Sequence, residues 1–250
     1  MTFRFIILAA GKGTRMQQEL PKALTPIGGK PILQHLYESV EASGVDGVPV
    51  IVIGPDQPKL CEAWNGVCDY VVQQEQLGTA HAVNVCRDAV TNADAIIVLY
   101  GDHPFIAKET LQNLAHLHET QGSVLSMMTT TVSSFHEWPI YYHWGRIVRD
   151  KHSHIMAIRE YKDAMESEQA ITEVNPALYC FNTKWLWDNI GQVKNYNANG
   201  EYYLTDLVEL AVAQGHDIPS MSIPPEEAVG INTQAERSIA ELLLVQRHGS

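Results

Sequence analysis

The sequence is poor in cysteine, and it has no long apolar run. Its 250 residues include four cysteines, at positions 61, 68, 86 and 180, and no Cys-x-x-Cys pair. These spacings suit neither a zinc site nor a dense disulfide framework. We therefore interpret the cysteines as small buried residues and predict a reducing, cytoplasmic location. No apolar run approaches the roughly 18 residues that a membrane-spanning helix needs, so we predict no membrane partner.

Positive charge is also scarce. The chain has 17 Lys and Arg against 29 Asp and Glu, a formal net charge of −12. This balance argues against general affinity for nucleic acid or for anionic membranes. Against that background, the cations Lys12, Arg15 and Lys22 form a conspicuous cluster near the amino end. A local positive cluster in an acidic protein predicts a specific anionic ligand.

These cations lie in a glycine-containing segment that follows a predicted buried strand over residues 4–10. The segment reads Gly-Lys-Gly-Thr-Arg-Met at 11–16, with Pro-Lys at 21–22. Glycine lets the backbone approach a ligand closely, and main-chain N–H groups beside cations suit a polyphosphate. The spacing excludes a P-loop, and Met16 replaces the third glycine of a dinucleotide fingerprint. The amides and cations of the segment nevertheless predict a nucleoside triphosphate site, with a plain strand-to-helix turn as the alternative.

Predicted strands and helices alternate along the chain. This pattern predicts an α/β fold, Rossmann-like, with a mixed, mostly parallel sheet and helices on both faces. We expect a single domain over residues 1–250, with a nucleotide half at about 1–122, a second half at about 123–232 and a C-terminal helix at 233–247. The predicted strands are 4–10, 48–53, 69–72, 95–100, 123–131, 146–149, 154–159 and 177–182. The predicted helices are 31–43, 57–65, 78–90, 108–121, 183–190, 203–214 and 233–247.

Two further segments carry polar residues suited to a nucleotide and a metal. The amide of Gln73 can both donate to and accept from a base edge, and Gly78 can bring its backbone close to the base. Asp102 follows a buried strand, where a carboxylate could hold Mg²⁺, an ion that prefers oxygen ligands. The alternatives are structural: Thr79 could cap a helix, and Asp102 could close a turn.

The motifs together resemble those of the sugar-1-phosphate nucleotidyltransferases, and most closely the uridylyltransferase domain of the bifunctional enzymes that make UDP-N-acetylglucosamine. The matches occur in the family's order and span positions 6 to 232. They are L-A-A-G-x-G-T-R-M with P-K, Q-x-x-x-L-G-T, Y-G-D-x-P, G-R-[IV] with E-x-K-D-A, E-[IV]-N with G-E-Y-Y-L-T-D, and G-[VI]-N.

The resemblance implies a reaction in which UTP and N-acetylglucosamine 1-phosphate, or a related sugar 1-phosphate, give a UDP-sugar and pyrophosphate, with Mg²⁺ as cofactor. Arg15 and Lys22 would be catalytic, and Asp102 and Asn232 would hold the metal. The nucleotide would contact Leu8, Ala9, Ala10, Gly11, Gly13, Thr14, Gln73, Gly78 and Thr79. The sugar would contact Tyr100, Gly101, Gly145, Glu160 and Asn175. The resemblance thus makes the second half, at about 123–232, a sugar-binding half.

Three departures from the family pattern bear on these expectations. No hexapeptide repeats of an acetyltransferase domain follow residue 232, so we predict no acetyl transfer, and the oligomeric state stays open. Pro176 and Ala177 stand where the family has Thr and Gly. The segment 135–144 is longer and more aromatic than its counterpart and ends in Trp144. The identity of the sugar is therefore open, and so are another nucleotide, a non-sugar phosphate acceptor and a catalytically silent nucleotide-binding homologue.

Overall fold

The computed structural model describes residues 1–11, 13, 16, 20–64 and 66–248. A mixed sheet with helices on both faces runs through the chain, as the alternating pattern predicts. The strands are β1 (Phe3–Leu8), β2 (Pro26–Ile27), β3 (Lys30–Pro31), β4 (Val50–Ile53), β5 (Asp69–Val72), β6 (Ala95–Tyr100), β7 (Leu125–Thr131), β8 (Arg146–Arg149), β9 (Ile155–Arg159), β10 (Glu173–Val174), β11 (Tyr179–Asn182) and β12 (Ser220–Ser222). The helices are α1 (Ile32–Ser43), α2 (Pro58–Ala63), α3 (Thr79–Asn84), α4 (Lys108–Gln121), α5 (Glu166–Gln169), α6 (Thr183–Asn189), α7 (Asp206–Ala213), α8 (Pro225–Ala228) and α9 (Gln234–His248).

The strand order of the main sheet is β5-β4-β1-β6-β11-β7-β10-β8-β9, with β12 beside β7. The pairs among β5, β4, β1 and β6 are all parallel, whereas β11 is antiparallel to both β6 and β7. The carboxyl ends of β1, β4 and β6 therefore meet at one edge of the sheet, where ligands of such folds bind.

Apolar side chains cover both faces of this sheet. In β1, Phe5 and Ile7 belong to one core cluster and Ile6 to another, because successive residues of a strand point to opposite faces. All three are fully buried. Helix α1 packs into the first cluster through Ile32, Leu33, Leu36, Tyr37 and Val40, a spacing that gives one apolar stripe.

Most predicted elements are found within a few residues of their expected bounds. The predicted helix 78–90 is shorter: α3 ends at Asn84, and a 3₁₀ turn follows over Arg87–Ala89. The hairpin β2–β3 and the short elements β10, β12, α5 and α8 were not expected. Each is two to four residues long, so none shows a periodic pattern in the sequence. Within the described residues, no helix is long and apolar enough to span a bilayer.

Candidate functional site

The glycine-containing segment begins where β1 ends, beside the end of β6. The Ala9 amide donates to the carbonyl oxygen of Val52 at 2.8 Å, and the Gly101 amide donates to that of Leu8 at 2.9 Å. These bonds place the start of the segment next to Tyr100-Gly101-Asp102. Gly13 has φ +61°, and a β-carbon there would lie 2.9 Å from Cβ of Lys22. Glycine at 13 thus lets the chain pass close to Lys22. The predicted residues Thr14 and Arg15, like Lys12, lie outside the described residues.

A cavity of about 450 Å³, the first cavity, opens above these strand ends. It brings together the described residues that were expected to contact the nucleotide. Its lining includes Leu8, Ala9, Ala10, Gly11, Gly13, Lys22, Gln73, Gln76, Gly78, Thr79, Tyr100, Gly101, Asp102, Glu201 and Asn232. Gly101, which was expected to contact the sugar, lines this cavity.

Two glutamines that the sequence analysis did not single out hold the glycine-containing segment. Gln57 accepts from the Gly54 amide at 2.8 Å and donates to the Gly11 carbonyl oxygen at 3.2 Å. Gln76 donates to the Ala10 carbonyl oxygen. Gln76 lies within the Q-x-x-x-L-G-T match, at a position that the pattern leaves unspecified, so the motif gave no signal for it.

Two of the predicted base-recognition residues, Gln73 and Gly78, contact each other directly. Gln73 is buried, and its Nε2 lies 3.1 Å from the Gly78 carbonyl oxygen and 3.0 Å from Nδ1 of His81. Gly78 has φ +121°, and a β-carbon there would come within 2.5 Å of the Tyr202 carbonyl oxygen. Only glycine fits this contact.

The segment 197–206, for which the sequence suggested no chemical role, holds the loop at 77–80 in place. The Ala80 amide donates to the Tyr202 carbonyl oxygen at 2.9 Å, and the Tyr202 amide donates to that of Leu77 at 2.8 Å. The Thr79 hydroxyl accepts from the Leu204 amide at 2.9 Å. The Thr79 side chain therefore does not cap α3, whose first turn has no side-chain cap. Glu201, in the same segment, lines the first cavity.

The two residues expected to hold a metal share a cation in this structure, and that cation is the Lys22 ammonium. Nζ of Lys22 donates to Oδ2 of Asp102 at 2.7 Å and to Oδ1 of Asn232 at 2.9 Å. The Ile231 amide donates to the Asp102 carbonyl oxygen at 2.9 Å, which ties the two segments together. Asp102 and Asn232 are thus close enough for one small cation to contact both.

Burial and the neighbouring charges shift the pKa of Asp102 in opposite directions. Burial raises the pKa of the Asp102 carboxyl, but Lys22 and His103 outweigh it and hold this pKa below its ordinary value. His103 is buried, with Nε2 3.5 Å from Oδ1 of Asp102, and burial lowers the pKa of its imidazole. A β-carbon on Gly230 would lie 2.8 Å from Nε2 of His103. His103 therefore lies between the segment that carries Asp102 and the segment that carries Asn232.

A second cavity of about 300 Å³ adjoins the first. The two share Thr79, Tyr100, Asp102, Glu201 and Asn232. Three of the expected sugar residues, Gly145, Glu160 and Asn175, line the second cavity only. Its wall also contains His103, His143, Trp144, Ala177, Asn199, Tyr203 and Thr205. The candidate metal ligands lie where the two cavities meet.

Glu160 is a carboxyl residue of the second cavity whose pKa is strongly raised. Burial raises the pKa of its carboxyl to about 7, and the nearby Asp163, Asp206 and Glu201 add to the rise. The Thr205 hydroxyl opposes the shift and lies 3.5 Å from Oε1. Near neutral pH, Glu160 is therefore divided between a form that can donate a hydrogen bond and one that can only accept.

The side chain of Asn175 makes two internal hydrogen bonds. Its Nδ2 donates to the Tyr179 hydroxyl at 2.5 Å, and its Oδ1 accepts from the Ala177 amide at 3.0 Å. Ala177 has φ +57°, in the left-handed region that favours glycine. The backbone at 177 thus keeps a conformation suited to the glycine of the family motif, although the residue here is alanine.

The guanidinium of Arg146 organises the aromatic segment 135–144. Arg146 is fully buried, and its donors reach the carbonyl oxygens of Gln169 (3.2 Å), Tyr142 (2.7 Å), Tyr141 (3.4 Å) and Trp144. The guanidinium also lies over the Phe135 ring at 4.3 Å. Arg146 therefore fixes Trp144, whose ring is 5.5 Å from that of His103, at the wall of the second cavity.

The residues present fit a hard divalent ion. Asp102 and Asn232 supply a carboxylate and an amide oxygen, and among the described residues Oδ1 of Asp102 is buried without a hydrogen-bond donor. No group of three or more His, Cys, Asp or Glu that could hold a metal occurs in the described part of the chain. A two-oxygen site is typical of Mg²⁺, which keeps several waters and substrate phosphates as ligands.

A family model described as MobA-like NTP transferase domain matches residues 5–171 of the chain. The chain belongs to this family. The nucleotidyltransferase family predicted from the motifs is thereby confirmed. The matched residues of this MobA-like domain include most of the first cavity and end just before Asn175.

Whole-chain similarity extends to curated relatives. Bifunctional protein GlmU of Bacillus mycoides (strain KBAB4) is 39% identical over 250 residues, which covers 99% of this chain and 53% of the relative. The same protein of Bacillus cytotoxicus is also 39% identical with the same coverage. The chain spans about half the length of the curated relatives it matches.

Solved structures share the fold of this MobA-like protein. A UDP-glucose pyrophosphorylase complexed with UDP-glucose superposes with a TM-score of 0.79 at 18% identity, covering 99% of this chain and 100% of the other. A putative glucose-1-phosphate thymidylyltransferase from Bacillus anthracis gives a TM-score of 0.78 at 20% identity, covering 97% and 95%. These likenesses confirm the predicted α/β nucleotide-diphospho-sugar transferase fold.

Proposed function

We propose that this protein transfers a uridylyl group from UTP to a sugar 1-phosphate, with N-acetylglucosamine 1-phosphate as the acceptor, and releases pyrophosphate. The observation that carries the proposal is the junction of the two cavities at Asp102, Asn232 and the Lys22 ammonium. A nucleotide in the first cavity and an acceptor phosphate in the second would meet at this junction. The similarity to GlmU along the whole chain supports the choice of UTP and of an N-acetylated sugar.

In this proposal the first cavity binds UTP. Gln73 and Gly78 would face the base, and the backbone of Ala9, Ala10, Gly11 and Gly13 would face the phosphates, for which Thr14 would be a further ligand. The open space at Gly11 supports this: chain neighbours aside, no atom of the described residues lies within 4 Å of where its β-carbon would be. A phosphate can therefore approach the main chain there without a steric barrier.

The reaction we propose is a direct displacement at the α-phosphorus. A phosphomonoester has a second pKa near 6, so the acceptor phosphate is largely a dianion at neutral pH and needs no general base. One of its oxygens forms a bond to the α-phosphorus, and the bond from that phosphorus to the pyrophosphate oxygen breaks. Catalysis then comes from positioning and from neutralising charge. Lys22 would stabilise charge on the α-phosphate and acceptor, and Arg15 the departing pyrophosphate.

Mg²⁺ fits the Asp102–Asn232 pair, where it would neutralise phosphate charge and help to align the two substrates. Glu160, Asn175 and the backbone at Gly145 would hold the sugar in the second cavity, with Tyr100 at the boundary. Glu160 can change between donor and acceptor, as a sugar hydroxyl also can. We also propose a cytoplasmic location, which the free thiols at the four cysteines support.

A second candidate is transfer to a different phosphate acceptor or from a different nucleotide. The observations that favour it are Trp144 and Ala177 in the wall of the second cavity, where this chain departs from the family motifs. The nucleotide side has no comparable departure. A different acceptor is therefore the stronger form of this alternative.

One screen tests both candidates. Each of the four common NTPs would be incubated with Mg²⁺ and a panel of acceptors: N-acetylglucosamine 1-phosphate, glucosamine 1-phosphate, glucose 1-phosphate, a polyol phosphate and phosphocholine. We expect pyrophosphate release to be fastest with UTP and N-acetylglucosamine 1-phosphate. Release that is faster with another pair would favour the second candidate. UTP binding without release on any acceptor would instead indicate a catalytically silent homologue.

A further inference from the structure

The Lys22 ammonium lies between the two oxygens that are suited to a metal ion. Its Nζ donates to Oδ2 of Asp102 at 2.7 Å and to Oδ1 of Asn232 at 2.9 Å, and both distances are those of direct hydrogen bonds. The side chains of Lys22 and Asp102 are 19% and 10% exposed. The ammonium therefore neutralises a carboxylate that burial has largely removed from water.

An ammonium and a divalent ion cannot use these oxygens together. Mg²⁺ binds oxygen at about 2.1 Å, so an ion that contacts both oxygens would stand where Nζ of Lys22 now lies. An ion held through the other carboxylate oxygen, Oδ1 of Asp102, would still share that carboxylate with the ammonium. The two charges would also repel each other at short range, where water screens poorly. Metal binding at the Asp102–Asn232 pair therefore competes with the Lys22 head group.

The surroundings of Lys22 allow the head group to leave while the backbone stays fixed. Its stem starts on the 3₁₀ turn Lys22–Leu24 and packs at Cβ beside Gly13. Beyond Cβ the side chain lines the first cavity, which also contains Gly11. A polyphosphate there would offer the ammonium anionic oxygens in place of Asp102, and a lysine side chain is flexible enough to change partners.

We propose that Lys22 is a built-in counter-cation that competes with the divalent ion for Asp102 and Asn232 until a nucleotide draws it away. Metal binding to the free protein is then weak, and nucleotide and metal bind cooperatively. The inference rests on the proposed function only in identifying the ion as the one used with the nucleotide. The competition itself depends only on the side chains of Lys22, Asp102 and Asn232.

The first test measures Mn²⁺ binding without nucleotide, by the electron paramagnetic resonance signal of free Mn²⁺. A full charge next to an ionisable group changes the proton affinity of that group by a factor of about 10 to 1,000. By analogy, Lys22→Met should bind Mn²⁺ at least about tenfold more tightly than the unmodified protein. Lys30→Met is the matched control, because Lys30 pairs with Glu38 on the surface, away from the site, and it should change nothing. The double variant K22M/D102N should lose the gain.

Equal Mn²⁺ affinity in the unmodified protein and in a folded Lys22→Met variant would overturn the inference. Thermal unfolding reports whether the variant folds. It should also show that Mn²⁺ raises the melting temperature of Lys22→Met more than that of the unmodified protein, because the ion replaces the missing charge beside Asp102.

A second test does not need that variant. In the unmodified protein with ¹⁵N-labelled lysine, the Nζ resonance of Lys22, assigned by its loss in Lys22→Arg, should shift on titration with Mg²⁺ alone. A Lys22 resonance that stays unchanged at saturating Mg²⁺ would contradict the exchange. Pyrophosphate release is measured separately. Activity without competition refutes only this inference, and competition without activity refutes only the proposed function.

Discussion

The two cavities are built in different ways. The first is lined by many small residues, such as Ala9, Ala10 and Gly101 at the ends of β1 and β6. The second is lined largely by side chains from the second half of the chain, such as Trp144, Glu160 and Asn175. Small residues let a ligand reach the main chain, and a larger side chain at the same position would block it. Few substitutions are therefore compatible with such a surface. A side-chain surface can be rebuilt by substitution.

This difference accounts for where the chain keeps the family pattern. In the first cavity, replacing Gly78 would bring a β-carbon onto the backbone of Tyr202. In the second, Ala177 replaces a glycine and yet retains φ +57°. The same fold therefore combines a first cavity that keeps the family motifs with a second cavity that departs from them at Trp144 and Ala177.

The largest predicted effect tests the rigidity of the first cavity. Gly78→Ala should lower the free energy of unfolding by about 4 kcal/mol, because it adds both a backbone clash with Tyr202 and strain at φ +121°. Chemical denaturation measures this change. Gly11→Ala is the control, since it has open space and should leave stability unchanged while weakening UTP binding. A Gly78→Ala protein of normal stability would show that the loop is not clamped as described.

The next effect tests how the wall of the second cavity is held. Arg146→Met should cost about 3 kcal/mol, because it leaves several buried carbonyl oxygens without donors. Its kinetic effect should fall on KM for the acceptor rather than on KM for the nucleotide. Steady-state kinetics with each substrate varied in turn separates the two. Equal changes in both KM values would mean that the cavities are not independent.

A smaller effect concerns pH. Because the pKa of Glu160 is raised to about 7 in the folded protein, the folded state holds this proton more tightly than the unfolded chain does. The stabilisation is complete below the ordinary pKa of about 4.5 and is lost as the pH rises through 7. Between pH 5 and pH 8 the free energy of unfolding should fall by roughly 2 kcal/mol from this residue.

Denaturation curves across that range, for the unmodified protein and for Glu160→Gln, measure the contribution. Asp206, whose pKa is raised to about 6 mainly by burial, adds a decline of the same sign that the variant keeps. An unchanged pH dependence in Glu160→Gln would show that the carboxyl is not buried as described.

The smallest predicted effect concerns one residue of the second cavity, Ala177. Ala177→Gly should raise the free energy of unfolding by about 1 kcal/mol, because it relieves the left-handed conformation of alanine. Differential scanning calorimetry measures the change. A loss of stability would mean that Cβ of Ala177 makes packing contacts worth more than the strain.

The sequence predicted the first cavity better than the second for the same physical reason. Glycines and small residues at strand ends are visible as motifs, and Leu8, Gly13 and Gly78 lie together as expected. The hydrogen bonds of Asn175 to Tyr179 and Ala177, the carbonyl oxygens around Arg146 and the holding roles of Gln57 and Gln76 depend on distant backbone geometry. Local sequence patterns do not indicate hydrogen bonds between residues that are distant in the chain.

The same limit applies at the junction. The sequence indicated Lys22, Asp102 and Asn232 as separate functional residues, and their spacing of 80 and 130 positions gave no sign that one ammonium would contact both oxygens. Short elements such as β10 and β12 were missed because they depend on pairing with β7 rather than on their own periodicity.

Product formation by the unmodified protein and by Asp102→Asn, followed by mass spectrometry with UTP, N-acetylglucosamine 1-phosphate and Mg²⁺, tests the central claim most directly. The claim is that nucleotidyl transfer occurs where the two cavities meet. We predict UDP-N-acetylglucosamine and pyrophosphate in equal amounts from the unmodified protein, and a rate lower by a factor of about 100 or more in the folded variant. Product formation at the same rate by both proteins would contradict the account.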